Sequence, residues 1–141
     1  HNRLLEECPK LLKRLYEPMF YDRQAEHEPG APKTSWAPFF ALRGGEFFSR
    51  ANVSLVRNGY KVAGQEMDNE LAEALEAVER VSRSKDLWYE APIERGHMQY
   101  LNNRHLGHYR SEFQDNPDPA LKRHLFRTWH RTSGSRVYDG A

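Results

Sequence analysis

The chain has 141 residues and a formal net charge of +1, with acidic and basic residues interspersed along it. This length suits a single domain. The balanced charge argues against a nucleic-acid partner, because such proteins carry a basic stripe. No apolar run approaches the roughly 20 residues needed to cross a bilayer, so no membrane span is expected. The single cysteine, Cys8, excludes an internal disulfide and favours a reducing compartment, so the predicted location is cytoplasmic.

A helix and a strand are predicted first. Leucines at helical spacing indicate a helix over residues 1–18, which Pro9 either kinks or restarts, and Asn2 is a candidate N-cap. Residues 17–22 then read as a strand, and residues 23–35, rich in proline and polar residues, as a loop. Because the chain opens inside a helical pattern and without methionine, we expect it to be a piece of a longer protein.

A hairpin and a second helix come next. Gly44 and Gly45 stand between β-favouring stretches and predict a hairpin over residues 36–56, while Gly59 and Gly64 indicate a loop over 58–67. Residues 68–84 give the clearest helix, with apolar residues on one face and Asp68 or Asn69 as its cap. We expect this helix to be a packed surface element without a chemical role.

Four further strands are predicted in the C-terminal half, at residues 87–93, 97–102, 105–110 and 123–130. The element order is then a helix, strands, a helix and four strands. That order predicts a mainly β fold with flanking helices, not an alternating parallel α/β sheet.

The last two of these strands carry the residues that suggest chemistry. Alternation along a strand puts His108 on one face with Leu106 and Arg110, and His105 on the other. The same rule puts Arg123 and Arg127 on one face with Leu125 and Trp129. Apolar and cationic groups sharing one face suit a barrel interior that binds an anion.

Spacing alone leaves the roles of these residues open. His108 is either a metal ligand or a packed histidine, and ion pairing explains Arg123 and Arg127 as well as ligand binding does. The two arginines lie about 13 Å apart along an extended strand, so they are not expected to make the same contact with one carboxylate. Two anionic groups, or one ligand and a structural pair, fit this spacing better.

Residues 94–131, ERGHMQYLNNRHLGHYRSEFQDNPDPALKRHLFRTWHR, resemble the C-terminal part of the TauD/TfdA family of iron(II)- and 2-oxoglutarate-dependent dioxygenases. The shared pattern is Asn-Asn-Arg, a histidine followed two residues on by arginine, an acidic loop with prolines, and Arg-His-Leu-x-Arg-x-Trp. Residues 1–23 are similar to the family's helix after its first metal motif. The resemblance implies a double-stranded β-helix, or jelly roll, of which the chain holds the C-terminal portion.

The resemblance also implies roles, residue by residue. His108 falls on the distal iron-binding histidine, and Arg123 falls on the arginine that binds the distal carboxylate of 2-oxoglutarate. Arg127 falls on a second arginine, which in relatives contacts an anionic substrate group or supports the cosubstrate. Arg110 and the pair Asn102–Asn103 match the pattern too, and we interpret them as structural.

The chain departs from the family pattern at two places. His97 replaces the aspartate of Pro-Gly-Asp, which should alter only local hydrogen bonding in a turn. The larger departure is that no histidine is followed two residues later by Asp or Glu, the motif that supplies the other two ligands of a two-histidine, one-carboxylate iron site. We therefore expect residues 1–141 to be the C-terminal part of one dioxygenase domain, with that motif upstream, and not to hold iron alone.

The predicted function is a dioxygenase that uses Fe(II), 2-oxoglutarate and O2. It would oxidise, in the first place by hydroxylation, a small organic substrate, for which the second arginine suggests an anionic group, with release of succinate and CO2. One alternative is a non-catalytic β-barrel module in which Arg123 and Arg127 bind a carboxylate or sulfonate. Another is an iron/2-oxoglutarate relative that performs desaturation or cyclisation. The sequence leaves a homo-oligomer open, and it identifies neither the substrate nor the loop residues that select it.

Overall fold

The computed structural model of the chain describes residues 1–24, 27–103, 105–109, 112–128 and 130, so the predicted roles of Arg110 and Trp129 lie outside the described residues. Two helices open the chain and two short sheets follow. The elements are α1 (Asn2–Glu7), α2 (Pro9–Arg14), β1 (Pro18–Asp22), β2 (Thr34–Pro38), β3 (Phe40–Arg43), β4 (Glu46–Ser49), α3 (Val53–Ala63) and α4 (Asn69–Ser82). Two 3₁₀ turns lie at Lys85–Leu87 and Pro119–Leu121.

Pro9 divides the first helical stretch, as the sequence predicts. Cys8, between the two helices, has φ −150° and ψ 64°, and Pro9 is the first residue of α2, where its missing N–H costs no hydrogen bond. The prediction of Asn2 as an N-cap is wrong, because Asn2 is already the first residue of α1 and His1 precedes it as the cap.

The strands form two separate antiparallel pairs. β1 pairs with β2, with Phe20 opposite Trp36 in the register. β3 and β4 form a hairpin around the predicted turn, in which Arg43 pairs with Glu46 across Gly44–Gly45. The hairpin is shorter than the predicted range of 36–56, because β2 pairs with β1 and the residues from Val53 onward form α3. Both glycines have positive φ, 59° and 81°, as the two-residue turns of twisted hairpins require.

Helix α3 replaces part of the loop predicted over residues 58–67. Asn52 caps it by accepting a hydrogen bond from the Leu55 N–H at 3.0 Å, and Gly64 ends it in the left-handed conformation. Gly59 lies inside the helix, against β1, where an added Cβ would stand 2.4 Å from the Phe20 carbonyl oxygen. The glycine that suggested a loop therefore serves close packing between a helix and a strand.

Helix α4 begins at Asn69 and is capped by Asp68, as predicted. The Asp68 carboxylate accepts a hydrogen bond from the Leu71 N–H at 2.7 Å, and the helix buries one apolar face. Helices α2, α3 and α4 and both sheets contribute to one core. Its most completely buried large side chains are Leu15, Met19, Tyr21, Phe39, Val56, Leu71 and Leu75.

The four strands predicted in the C-terminal half are wrong for the described residues. Between residues 88 and 130 none of these residues is in a strand, and none is buried. The described residues of this stretch form local backbone hydrogen bonds, such as His97 N–H to Glu94 O and Leu106 N–H to Asn102 O. A strand persists only when a neighbouring strand accepts and donates its hydrogen bonds, and none of the described residues pairs with this segment.

The described part of the chain thus consists of small antiparallel sheets with flanking helices, and the helices contribute more residues than the strands. The jelly roll stays a prediction, because each sheet has two strands. No helix among the described residues is long and apolar enough to cross a membrane.

Candidate functional site

His108 lies in the extended C-terminal segment and is exposed to solvent. Its neighbour Tyr109 stacks on Trp88, with ring centroids 5.9 Å apart and an angle of 27° between the planes. Trp88 in turn donates its indole N–H to the Ser82 carbonyl oxygen, 2.7 Å away at the end of α4. His108, the predicted metal ligand, is thus next to Tyr109. Through Trp88, Tyr109 is connected to the C-terminal end of α4.

Arg123 follows the acidic loop, as predicted, and is exposed. Its guanidinium carbon lies 5.5 Å from the centroid of the Phe113 ring. Its backbone N–H donates to Asp115 Oδ1 at 3.4 Å. Both contacts come from the other end of the same loop, so the loop itself sets where this arginine stands.

Arg127 is also exposed, as are Leu125 and Phe126 beside it. The alternation that put Arg123 and Arg127 on one face assumed a strand that is not formed in the described residues. Their proposed roles consequently depend on the match to the family pattern and not on a shared face.

The described residues do not fit a complete iron centre. Within them, no group of three or more His, Cys, Asp or Glu side chains lies close enough together to hold a metal ion. A two-histidine, one-carboxylate site needs two ligands besides His108.

His97, which replaces the aspartate of the family pattern, makes local hydrogen bonds. Its Nδ1 accepts from the Glu94 backbone N–H at 3.2 Å, and its Nε2 lies 3.9 Å from a Glu94 carboxylate oxygen. Gly96 before it has φ +86°, which completes a turn that favours glycine. This agrees with the expectation that the substitution changes only local contacts. Three other histidines of this segment, His105, His124 and His130, are exposed as well.

A partly buried ion pair that the sequence did not indicate lies in the packed part: the arginine is buried and the aspartate is half exposed. The guanidinium of Arg14, a residue that is 8% exposed, donates to both Asp68 carboxylate oxygens at 3.4 and 2.8 Å. Hydrogen bonding from Arg14 holds the pKa of Asp68 below its usual value, and the Leu71 N–H contributes in the same direction. Because Asp68 also caps α4, this pair ties the end of α2 to the start of α4. The cap was recognisable from sequence, but its cationic partner lies 54 residues away.

Similarity to a known protein covers nearly the whole chain, including these residues. The chain is similar to FR-33289 synthase of Streptomyces rubellomurinus (strain ATCC 31215), with 26% identity over 141 residues. The match covers 98% of the chain but 42% of that relative, so the chain spans less than half the length of the curated relative.

A sequence profile of the family described as "Taurine catabolism dioxygenase TauD, TfdA family" matches residues 1–129. This range includes the packed helices and sheets as well as His108, Arg123 and Arg127. The match therefore extends far beyond the motif-rich C-terminal segment, and the chain belongs to the TauD/TfdA family.

Proposed function

We propose that the complete protein is an Fe(II)- and 2-oxoglutarate-dependent dioxygenase. It would oxidise a small organic substrate, in the first place by hydroxylation, with O2 consumed and succinate and CO2 released. The observation that carries this proposal is the family match over residues 1–129, which includes all three predicted site residues. The name of the relative, a synthase, agrees with an enzymatic role.

In this proposal each site residue has one task. His108 supplies one imidazole ligand to iron. Arg123 binds the distal carboxylate of 2-oxoglutarate, since a guanidinium presents paired N–H donors that match a carboxylate. Arg127 contacts an anionic substrate group or supports the cosubstrate.

We further propose that the chain is the C-terminal part of a single domain, and that the other iron ligands lie in a His-x-Asp or His-x-Glu motif N-terminal to His1. The proposal is supported by the match to only 42% of the relative's length. In such a domain, strands formed by residues N-terminal to His1 would be available to pair with the 88–130 segment.

The test is succinate formation by the full-length protein with Fe(II), 2-oxoglutarate, O2 and a panel of small carboxylates, sulfonates and other organic acids. His108→Ala should abolish iron-dependent turnover, whereas the matched control His105→Ala, three residues away and also exposed, should retain it. Full activity of His108→Ala would refute the metal assignment.

The cosubstrate assignment is tested by Arg123→Ala. Losing one partner of a charge pair of this kind costs about 2–5 kcal/mol, which corresponds to roughly 30-fold or greater weakening of 2-oxoglutarate binding. Arg95→Ala removes an exposed arginine of the same segment and should leave that affinity unchanged. Unchanged succinate formation by Arg123→Ala at low 2-oxoglutarate would contradict the assignment.

The same assay separates the other functions. Anion binding by the full-length protein without iron-dependent turnover would favour the non-catalytic module. The product mass would distinguish hydroxylation, which adds one oxygen atom, from desaturation or cyclisation, which removes two hydrogen atoms.

A further inference from the structure

The loop from Phe113 to Arg123 is organised by its own side chains. Asn116 Oδ1 accepts the Asp118 backbone N–H at 2.9 Å, and Asp118 Oδ1 accepts the Ala120 N–H at 2.9 Å. A 3₁₀ turn over Pro119–Leu121 follows. Short-range bonds of this kind from Asn and Asp fix a turn without help from distant elements.

The two ends of this loop meet at Arg123. Asp115 accepts the arginine's backbone N–H at 3.4 Å, and the Phe113 ring lies 5.5 Å from its guanidinium carbon. The ring is 43% exposed, so the arginine contacts it at the surface of the segment and not in a core. A separation under about 6 Å is the range in which a ring attracts a cation.

A cation–π contact with a ring leaves N–H donors of the guanidinium available to a carboxylate. A ring contacts the face of a planar guanidinium, while the N–H donors that match a carboxylate point outward in its plane. An arginine confined by a ring also loses less side-chain freedom when an anion binds. The contact therefore favours those arrangements of the Arg123 side chain that keep its guanidinium beside the ring.

We propose that Phe113 is a positioning residue for Arg123, which holds the guanidinium ready for the distal carboxylate of 2-oxoglutarate. Asp115 assists by holding the backbone of the arginine. The inference rests on the proposed function, because it assumes that Arg123 binds this cosubstrate. It adds a determinant of cosubstrate affinity that lies ten positions before the arginine.

The experiment is calorimetric titration of 2-oxoglutarate into the full-length, Fe(II)-loaded protein without oxygen. Phe113→Leu keeps apolar bulk but removes the ring, and should weaken binding about two- to five-fold. Phe113→Trp keeps a ring and should bind within two-fold of the unmodified protein. Phe126→Leu makes the same change at a phenylalanine that is 98% exposed, and should have no effect.

Steady-state assays supply a second readout. The KM for 2-oxoglutarate should rise in Phe113→Leu, while kcat at saturating 2-oxoglutarate stays unchanged, because the ring acts on binding alone. If Phe113→Leu does not fold, Asp115→Ala tests the second contact that the same end of the loop makes with Arg123, with about two-fold weaker binding expected.

The outcomes distinguish the inference from the function on which it rests. Absence of 2-oxoglutarate binding by the unmodified protein, or unchanged binding by Arg123→Ala, would overturn the proposed function and the inference together. Strong binding that depends on Arg123 but not on Phe113 would overturn the inference alone, as would equal weakening by Phe126→Leu. Weakening by Phe113→Leu with recovery in Phe113→Trp supports it.

Discussion

Residues 1–84 and residues 88–130 differ in how their structure is maintained. Every buried residue among those described lies between Leu4 and Val81, where helices and sheets pack on one core. The described residues of the later segment have large apolar side chains too, yet Tyr89, Met98 and Phe126 are 93, 80 and 98% exposed. An apolar, β-favouring sequence is therefore not enough to form a strand, because strand propensity depends on packing against a neighbouring strand and on burial of one face of the sheet.

Replacing a phenylalanine by alanine should lower the free energy of unfolding far more in the first region than in the second. In the 141-residue chain, Phe39→Ala should lower the free energy of unfolding by about 3–5 kcal/mol, since it removes a core ring that is 1% exposed. Phe126→Ala should change it by less than about 0.5 kcal/mol. Urea unfolding followed by circular dichroism measures both. Equal effects would mean that the later segment contributes to the same cooperative unit.

Replacing one glycine by alanine in each region tests how closely other atoms pack against the backbone there. An added Cβ at Gly59 would stand 2.4 Å from the Phe20 carbonyl oxygen, whereas at Gly107 it would meet no atom within 4 Å. Gly59→Ala should therefore destabilise the chain by about 1–3 kcal/mol, despite the higher helix propensity of alanine. Gly107→Ala should be neutral within about 0.5 kcal/mol. A stabilised Gly59→Ala variant in thermal unfolding would show that α3 and β1 separate easily.

The third prediction compares two aspartates that cap helical turns. Asp68 caps α4 and pairs with Arg14, while Asp118 caps a three-residue 3₁₀ turn through the Ala120 N–H. Asp68→Ala should cost about 1–2 kcal/mol, because the cap is lost and a buried arginine loses its acceptor. Asp118→Ala should have a smaller effect on global unfolding. The reverse order would indicate that the later segment governs stability.

The same aspartate gives a pH dependence. The pKa of Asp68 is lowered in the folded chain, chiefly by hydrogen bonding from Arg14, so its contribution to stability is present above the ordinary aspartate value near 4. It should be lost as the pH falls below that value and through the lowered native pKa. Asp68→Asn keeps a capping oxygen but has no charge to titrate, so its stability should fall less between pH 5 and 2. Identical acid unfolding curves would contradict this role.

Features that depend on residues close together in the chain could be predicted from the sequence. Pro9 restarts a helix because proline has no N–H to donate, and Gly44–Gly45 forms the turn because both residues adopt positive φ. The start of α4 follows from the Asp68 cap. The same local logic fixes the Asn and Asp turns of the loop before Arg123, although their importance for that arginine was not apparent from the sequence.

Features that depend on contacts between residues far apart in the chain became visible only in the tertiary structure. Gly59 reads as a loop residue until β1 packs against it, and the partner of Asp68 is an arginine on another helix. The segments predicted as strands after residue 87 remain unpaired among the described residues. The physical reason is that helices and turns satisfy their backbone hydrogen bonds within a few residues, whereas a strand needs a second strand to do so. The Arg14–Asp68 pair likewise needs side chains from two segments that are far apart in the chain.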